Sequence, residues 1–218
     1  MTLYVPSTAP NTKSLSQYII DVRRLLHDST GQYWQDPELI DYINAARNRV
    51  VADTGCNRMV QSGAILQGQE AYDFSFCGQN DTFDILNVRM LWGAMWYQLD
   101  YLPFGDFSTK LRAWATWQQR PVAFTVYGQN TLYVGPVPDQ TYTVELDTVV
   151  APGSLVLTTD QDFIAFPFVG CVAFYAAYLA KFKEQSYEQA AVFETEYKKK
   201  VMEAIRSSFT RRITSMYG

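Results

Sequence analysis

Apolar residues recur at helical spacing at both ends of this chain and at strand spacing in between, and that change of period restricts it to helices flanking an insert of sheet. Leu15, Tyr18, Ile19, Val22, Leu25 and Leu26 stand three and four apart and predict a helix over 15–27. Ser14 and Gln17 are spaced as a capping box, and Asp28-Ser29-Thr30-Gly31 ends the helix. A second helix opens at Trp34-Gln35-Asp36-Pro37-Glu38, which sets a carboxylate at the N-cap, proline at the first helical position and glutamate in the first turn. Its buried face is Leu39, Ile40, Ile43, Ala46, Val50 and Val51, and Gly55 supplies a left-handed cap. Two amphipathic helices joined by a short loop predict an antiparallel hairpin.

Over 58–150 β-branched and aromatic residues dominate, punctuated by Gly, Pro, Asn and Asp. Strands are predicted over 60–66, 71–76, 83–92, 122–127, 131–134 and 142–150, with a short helix over 107–117. Gly128-Gln129-Asn130 is a tight hairpin turn, and Pro136-Val137-Pro138-Asp139 a longer one. Tyr142, Val144, Leu146 and Thr148 alternate with Thr143, Glu145 and Asp147, which predicts one buried and one wet face. Helical period returns over 167–183, with Pro167 in the first turn. It continues over 187–207, where Ala190, Phe193, Tyr197, Val201, Ala204 and Ile205 form a stripe. The expected fold is α+β: a helical bundle of two helix hairpins with a small inserted antiparallel β-sheet and extended termini. The expected domains are an extended arm over 1–13, a bundle from 14–56 plus 160–208, a β-rich insert over 57–159, and a docking tail over 209–218.

Charged residues make up only 18% of the chain, against roughly 25% in typical domains. The 15 Tyr, 13 Phe and 5 Trp fit either a large aromatic core or surfaces that recruit partners. A net charge of −4 argues against a protein whose task is to grip phosphates. Cys56, Cys77 and Cys171 match no zinc or redox spacing and imply reduced thiols in a cytoplasm. Residues 1–13 lack the charged start and apolar run of a signal peptide. The uncharged stretch 163–180 predicts a helix buried on all sides of a soluble bundle and no membrane insertion, because Pro167 leaves too short a helix to span a bilayer.

Catalytic signals are sparse. His27 stands alone near a helix end, where it complements the dipole. No phosphate-binding glycine loop and no GxSxG elbow is present, and no cofactor is implied. Asp160 and Asp162 could bind a metal or act as an acid–base pair in a cell-wall hydrolase, but before a helix they are expected to cap it. Lys198-Lys199-Lys200 point in different directions around a helix and have Glu194 and Glu196 within reach, so they predict a solvated face. The C-terminal residues Arg206, Phe209, Arg211, Arg212, Ile213, Met216 and Tyr217 interleave basic and apolar side chains, and that mixture predicts a docking peptide. Trp92, Trp96, Tyr97, Tyr101, Trp114 and Trp117, several of them around the loop 92–97, are the expected subunit interface.

Three segments carry a resemblance. WQDPELIDYINAARNRVVADTG resembles the early helix of head-to-tail adaptor proteins (connector or head-completion proteins) of tailed, short-tailed bacteriophages. VGPVPDQTYTVELDTVVAP is similar to their Pro-x-Pro-Asp turn and following strand, with Pro152 and Leu155 at the exit. FVGCVAFYAAYLAKFKEQSYEQAAVFETEYKKKVMEAIRS resembles their closing helical hairpin. The resemblance implies a structural, non-enzymatic subunit of the virion neck, assembled in the host cytoplasm. It also implies a homo-oligomer, typically a dodecameric ring. That ring would join the portal protein to the tail nozzle or tube, close the capsid exit and let genomic double-stranded DNA pass through. It further implies that 206–217 docks on the portal. A tail nozzle or tube protein is the alternative reading.

Overall fold

The computed structural model describes residues 12–77, 81–112 and 117–210. In chain order the elements are α1 (Leu15–Leu26), α2 (Asp36–Thr54), β1 (Arg58–Ile65), β2 (Ala71–Asp73), a 3-10 turn (Phe74–Cys77), β3 (Thr82–Trp92), β4 (Met95–Gln98), β5 (Asp100–Tyr101), α3 (Phe104–Leu111), β6 (Ala123–Tyr127), β7 (Thr131–Gly135), β8 (Tyr142–Val150), α4 (Val169–Lys183) and α5 (Tyr187–Thr210). They form two compact units. One combines the chain up to Asn57 with the chain from Pro152 onward; the other is Arg58–Ala151.

In the helical unit, α1 begins as its sequence dictates. The Ser14 hydroxyl accepts from the Gln17 amide, while the Gln17 side chain accepts from the Ser14 amide. Gly55 closes α2 at φ 61°, a left-handed conformation that costs glycine nothing. The N-cap of α2 is Gln35, however, with no side-chain cap, and Asp36 is already helical. The Asp36 carboxylate instead accepts from Arg23 Nη2 at 2.6 Å, which ties α2 to α1. α4 starts two residues beyond Pro167, which follows a cis peptide. Its Val169, Cys171, Val172, Ala173, Ala176, Ala177 and Ala180 are buried, and α1, α2 and α5 all pack against it. Small side chains let those backbones come close, and burial against three helices disfavours charge, which α4 lacks before Lys181. It is not buried all round: Tyr175 and Tyr178 are half-buried and Phe182 is exposed. Among the described residues no helix is long and apolar enough to cross a membrane.

The second unit corrects the expected fold class. A helical bundle carrying one small antiparallel sheet is not what forms. Among the described residues there are five helices and two four-stranded sheets, ordered β1-β8-β3-β4 and β2-β7-β6-β5. The first sheet is antiparallel throughout, and in the second the β5–β6 pair is parallel. The physical reason is burial. β8 alternates as predicted, with Tyr142, Val144, Leu146 and Thr148 inside, but one sheet would leave that apolar face wet. Ile65, Val88, Met90, Val144 and Leu146 of the first sheet share one core with Tyr72, Phe124, Leu132 and Val134 of the second. Gly135 lies so close to Phe107 of α3 that an added Cβ would meet its ring at 2.7 Å.

Candidate functional site

The residues expected at a subunit interface fall into separate places. Residues 92–97 are not a loop but a β-hairpin, closed at Gly93 with φ 62°. The ladder sets Trp92 opposite Met95, Leu91 opposite Trp96 and Met90 opposite Tyr97. Side chains alternate along a strand, so Trp92 and Tyr97 share one face and Trp96 takes the other. Trp92 and Tyr97 meet edge to face, with ring centroids 5.3 Å apart and planes inclined at 62°. The Arg120 guanidinium stacks over both, 4.4 Å from Trp92 and 5.2 Å from Tyr97. On the opposite face Arg89 reaches over Trp96 at 6.0 Å and pairs with Glu145 at 2.7 Å. Trp92, Met95 and Trp96 remain exposed. Tyr101 leans on Phe124 with its ring open to solvent, and Trp117 is exposed. Trp114 lies outside the described residues.

In the helical unit the two candidate acids hold structure, and neither caps α4. Asp162 is buried together with Arg47. Its Oδ1 accepts from Arg47 Nε at 3.1 Å and Nη2 at 2.7 Å, and from the Ile164 amide; its Oδ2 accepts from the Tyr18 hydroxyl at 2.7 Å. Arg47 Nη1 donates to Asn44 Oδ1 and to the Gly153 carbonyl, while Asn44 brackets the Leu155 backbone. Burial, then the Asp162 charge, pushes the Tyr18 hydroxyl far above the ordinary tyrosine range. The network therefore pins α1, α2 and the 153–164 segment together and occupies both carboxylate oxygens of Asp162. Asp160 accepts from the Val156 and Leu157 amides, which hold its carboxyl below the ordinary range. Burial pushes the Cys171 thiol up to about 11, the reverse of an activated nucleophile.

That pinned segment presents a surface that periodicity gave no reason to expect. Val156, Leu157, Phe163 and Phe166 are exposed, Phe163 at 79%. The backbone beneath them is rigidly bonded, with Leu15 donating to the Asp160 carbonyl, Ser16 to Thr158 and Asp162 to Lys13. Four large apolar side chains on an ordered, non-helical connection have the character of a contact surface. The only available signal was their apolar character in a stretch with no period. Beside it, a groove of 910 Å³ runs past Ile20, Phe166, Gly170 and Phe174 to Lys200 and Ser207. An aromatic ladder climbs from buried Tyr197 through Tyr175, Tyr178 and Phe182 to exposed Tyr187 at the α4–α5 turn.

Of the expected docking residues, Arg206 is exposed near the end of α5. Arg211, Arg212, Ile213, Met216 and Tyr217, and the side chain of Phe209, lie outside the described residues. Lys198, Lys199 and Lys200 pair with Glu194, Glu196 and Glu203, a solvated face. Among the described residues no group of three or more His, Cys, Asp or Glu is placed to hold a metal ion.

No curated protein matches this chain. A family model described as SU10 adaptor protein matches residues 13–216, through both units and almost to the last residue. With that match the chain belongs to the SU10 adaptor protein family, and is a phage head-tail adaptor protein.

Proposed function

We propose that this adaptor is a structural ring subunit that joins the portal to the tail, closes the capsid exit and lines the DNA channel. The observation that carries the reading is the family match over 13–216, which spans the surfaces described above and most of the basic–apolar C-terminal segment. A structural adaptor family points to a protein that works by assembly, and the tying up of Asp162 and Asp160 in backbone and ion-pair contacts agrees with that. The exposed aromatic and aliphatic side chains of the 92–97 hairpin and the 156–166 segment supply the desolvation that drives association. The docking contact with the portal is assigned to 206–217, with Arg206 at its start, and the net charge of −4 limits sticking of DNA in transit.

Deleting Arg211–Gly218 is expected to abolish co-sedimentation with the portal while leaving the far-ultraviolet dichroism of the chain unchanged. Normal co-sedimentation of the truncated chain would overturn the docking assignment.

A further inference from the structure

Among the described residues, two strands of the first sheet have no strand neighbour on one side. β1 pairs with β8 alone, and β4 with β3 alone. An open edge offers a row of unpaired N–H and C=O groups to any strand that comes near, and natural sheets blunt such edges by shortness, lysine, proline or bulges. The second sheet follows this rule, since its edge strands β2 and β5 have three and two residues. The first sheet does not. β1 has eight residues, RMVQSGAI, and β4 has four, MWYQ; neither contains lysine or proline, and both ladders run without a register break. The single charge, Arg58, is neutralised by Asp147. Both edges also expose apolar side chains, Met59 and Val60 on one and Met95 and Trp96 on the other.

The free groups on β4 can be assigned. The Leu99 amide donates to the Val88 carbonyl at 2.9 Å, so Val88 and Leu99 occupy a hydrogen-bonded position of the β3–β4 ladder. Hydrogen-bonded and non-bonded positions alternate in an antiparallel pair. Met90 with Tyr97 and Trp92 with Met95 therefore face inward. Trp96 and Gln98 turn their N–H and C=O groups away from β3, into the open edge.

Strand polarity then decides what can fill it. β1 and β3 run one way, β8 and β4 the other. When two copies sit in the same orientation, β4 of one lies antiparallel to β1 of the next, and the alternation of the sheet continues across the junction. Such a contact is head-to-tail, joining two different surfaces of one chain, and it generates a ring when the rotation closes.

We propose that β4 of one copy pairs with β1 of its neighbour, so that the first sheet runs from subunit to subunit. The occupant of each edge is a second copy of this chain, and the inference rests on the ring reading above. Trp96 is then a contact residue on the outward face, and the main chain of 96–98 supplies the hydrogen bonds.

Cysteine cross-linking of the full-length chain tests this. Gln98 and the β1 positions Val60, Ser62 and Ala64 share the outward face of the sheet. Paired strands lie about 4.8 Å apart, within disulfide reach. Gln98→Cys is combined in turn with Val60→Cys, Ser62→Cys or Ala64→Cys and oxidised mildly, with each single variant as a control. The expected result is a ladder of covalent dimers, trimers and higher species for at least one pair, absent from the single variants. No ladder from any pair overturns the edge pairing. Sedimentation of the unoxidised chain then separates the two readings: a ring without a ladder leaves the ring and removes the edge contact, whereas a monomer without a ladder removes both.

Discussion

Arg47 is a long cation with 1% of its surface exposed, and its stability depends on Asp162. Four of its five N–H bonds have partners, two of them on that one carboxylate oxygen. Removing one member of a buried ion pair leaves the other charge uncompensated, which costs about 3–5 kcal/mol, a fifth or more of a typical domain's stability. Asp162→Ala is expected to lower unfolding free energy by that amount in urea titration; a loss under about 1 kcal/mol would show that the network is dispensable. Asp160 sits at the surface and acts through its charge. The Val156 and Leu157 amides hold its folded-state carboxyl below the ordinary value of 3.8. The contribution is therefore complete above that value and is lost as pH falls from it through the depressed one. Asp160→Asn keeps an acceptor for the amides but cannot titrate, so the decline in melting temperature between about pH 5 and pH 2 should be shallower in that variant. An unchanged slope would assign the acid sensitivity elsewhere, with Asp28 next in line, since it accepts from the Trp34, Gln32 and Tyr33 amides.

At the scale of elements, the signals that were legible are those that need only neighbours in the chain. The Ser14–Gln17 capping box, the stripe from Leu15 to Leu26 and the Gly55 cap all act within a few residues, and all are present. Ser14→Ala is expected to cost about 1 kcal/mol, read as a lower denaturation midpoint with an unchanged m-value. The alternation of β8 was also legible, because a half-buried strand imposes period two on its own sequence. β4 and β5 were not, since strands of four and two residues are too short to show a period. Asp36 illustrates a different limit. Asp before Pro is a proper cap signal, yet Arg23, thirteen positions away in sequence, captures the carboxylate and the cap moves to Gln35. Asp162 was misplaced for the same reason, because its partner Arg47 lies far away in sequence, in α2.

For the whole molecule, each unit holds its own buried side chains, and that has an observable consequence. Leu146 is fully buried where the two sheets share a core. Leu146→Ala is expected to cost about 2–5 kcal/mol through lost contacts and the cavity left behind. In amide hydrogen exchange the loss of protection should be concentrated in β3, β6, β7 and β8, with α2 and α4 keeping theirs. Equal loss in both units would show that they unfold as one.

Local period, capping chemistry and segment order were readable from the residues alone: helices at both ends, strands between them, and the three ordered segments that resemble phage head-tail adaptors. How those pieces satisfy one another emerged from the folded chain. It paired β5 with β6 in parallel, set two sheets face to face over one core, sent Arg47 to Asp162, and, among the described residues, left β1 and β4 each paired on one side alone. Those outcomes depend on which groups meet across long stretches of chain, and a buried charge or an apolar face is relieved only by a partner whose position in sequence carries no local mark.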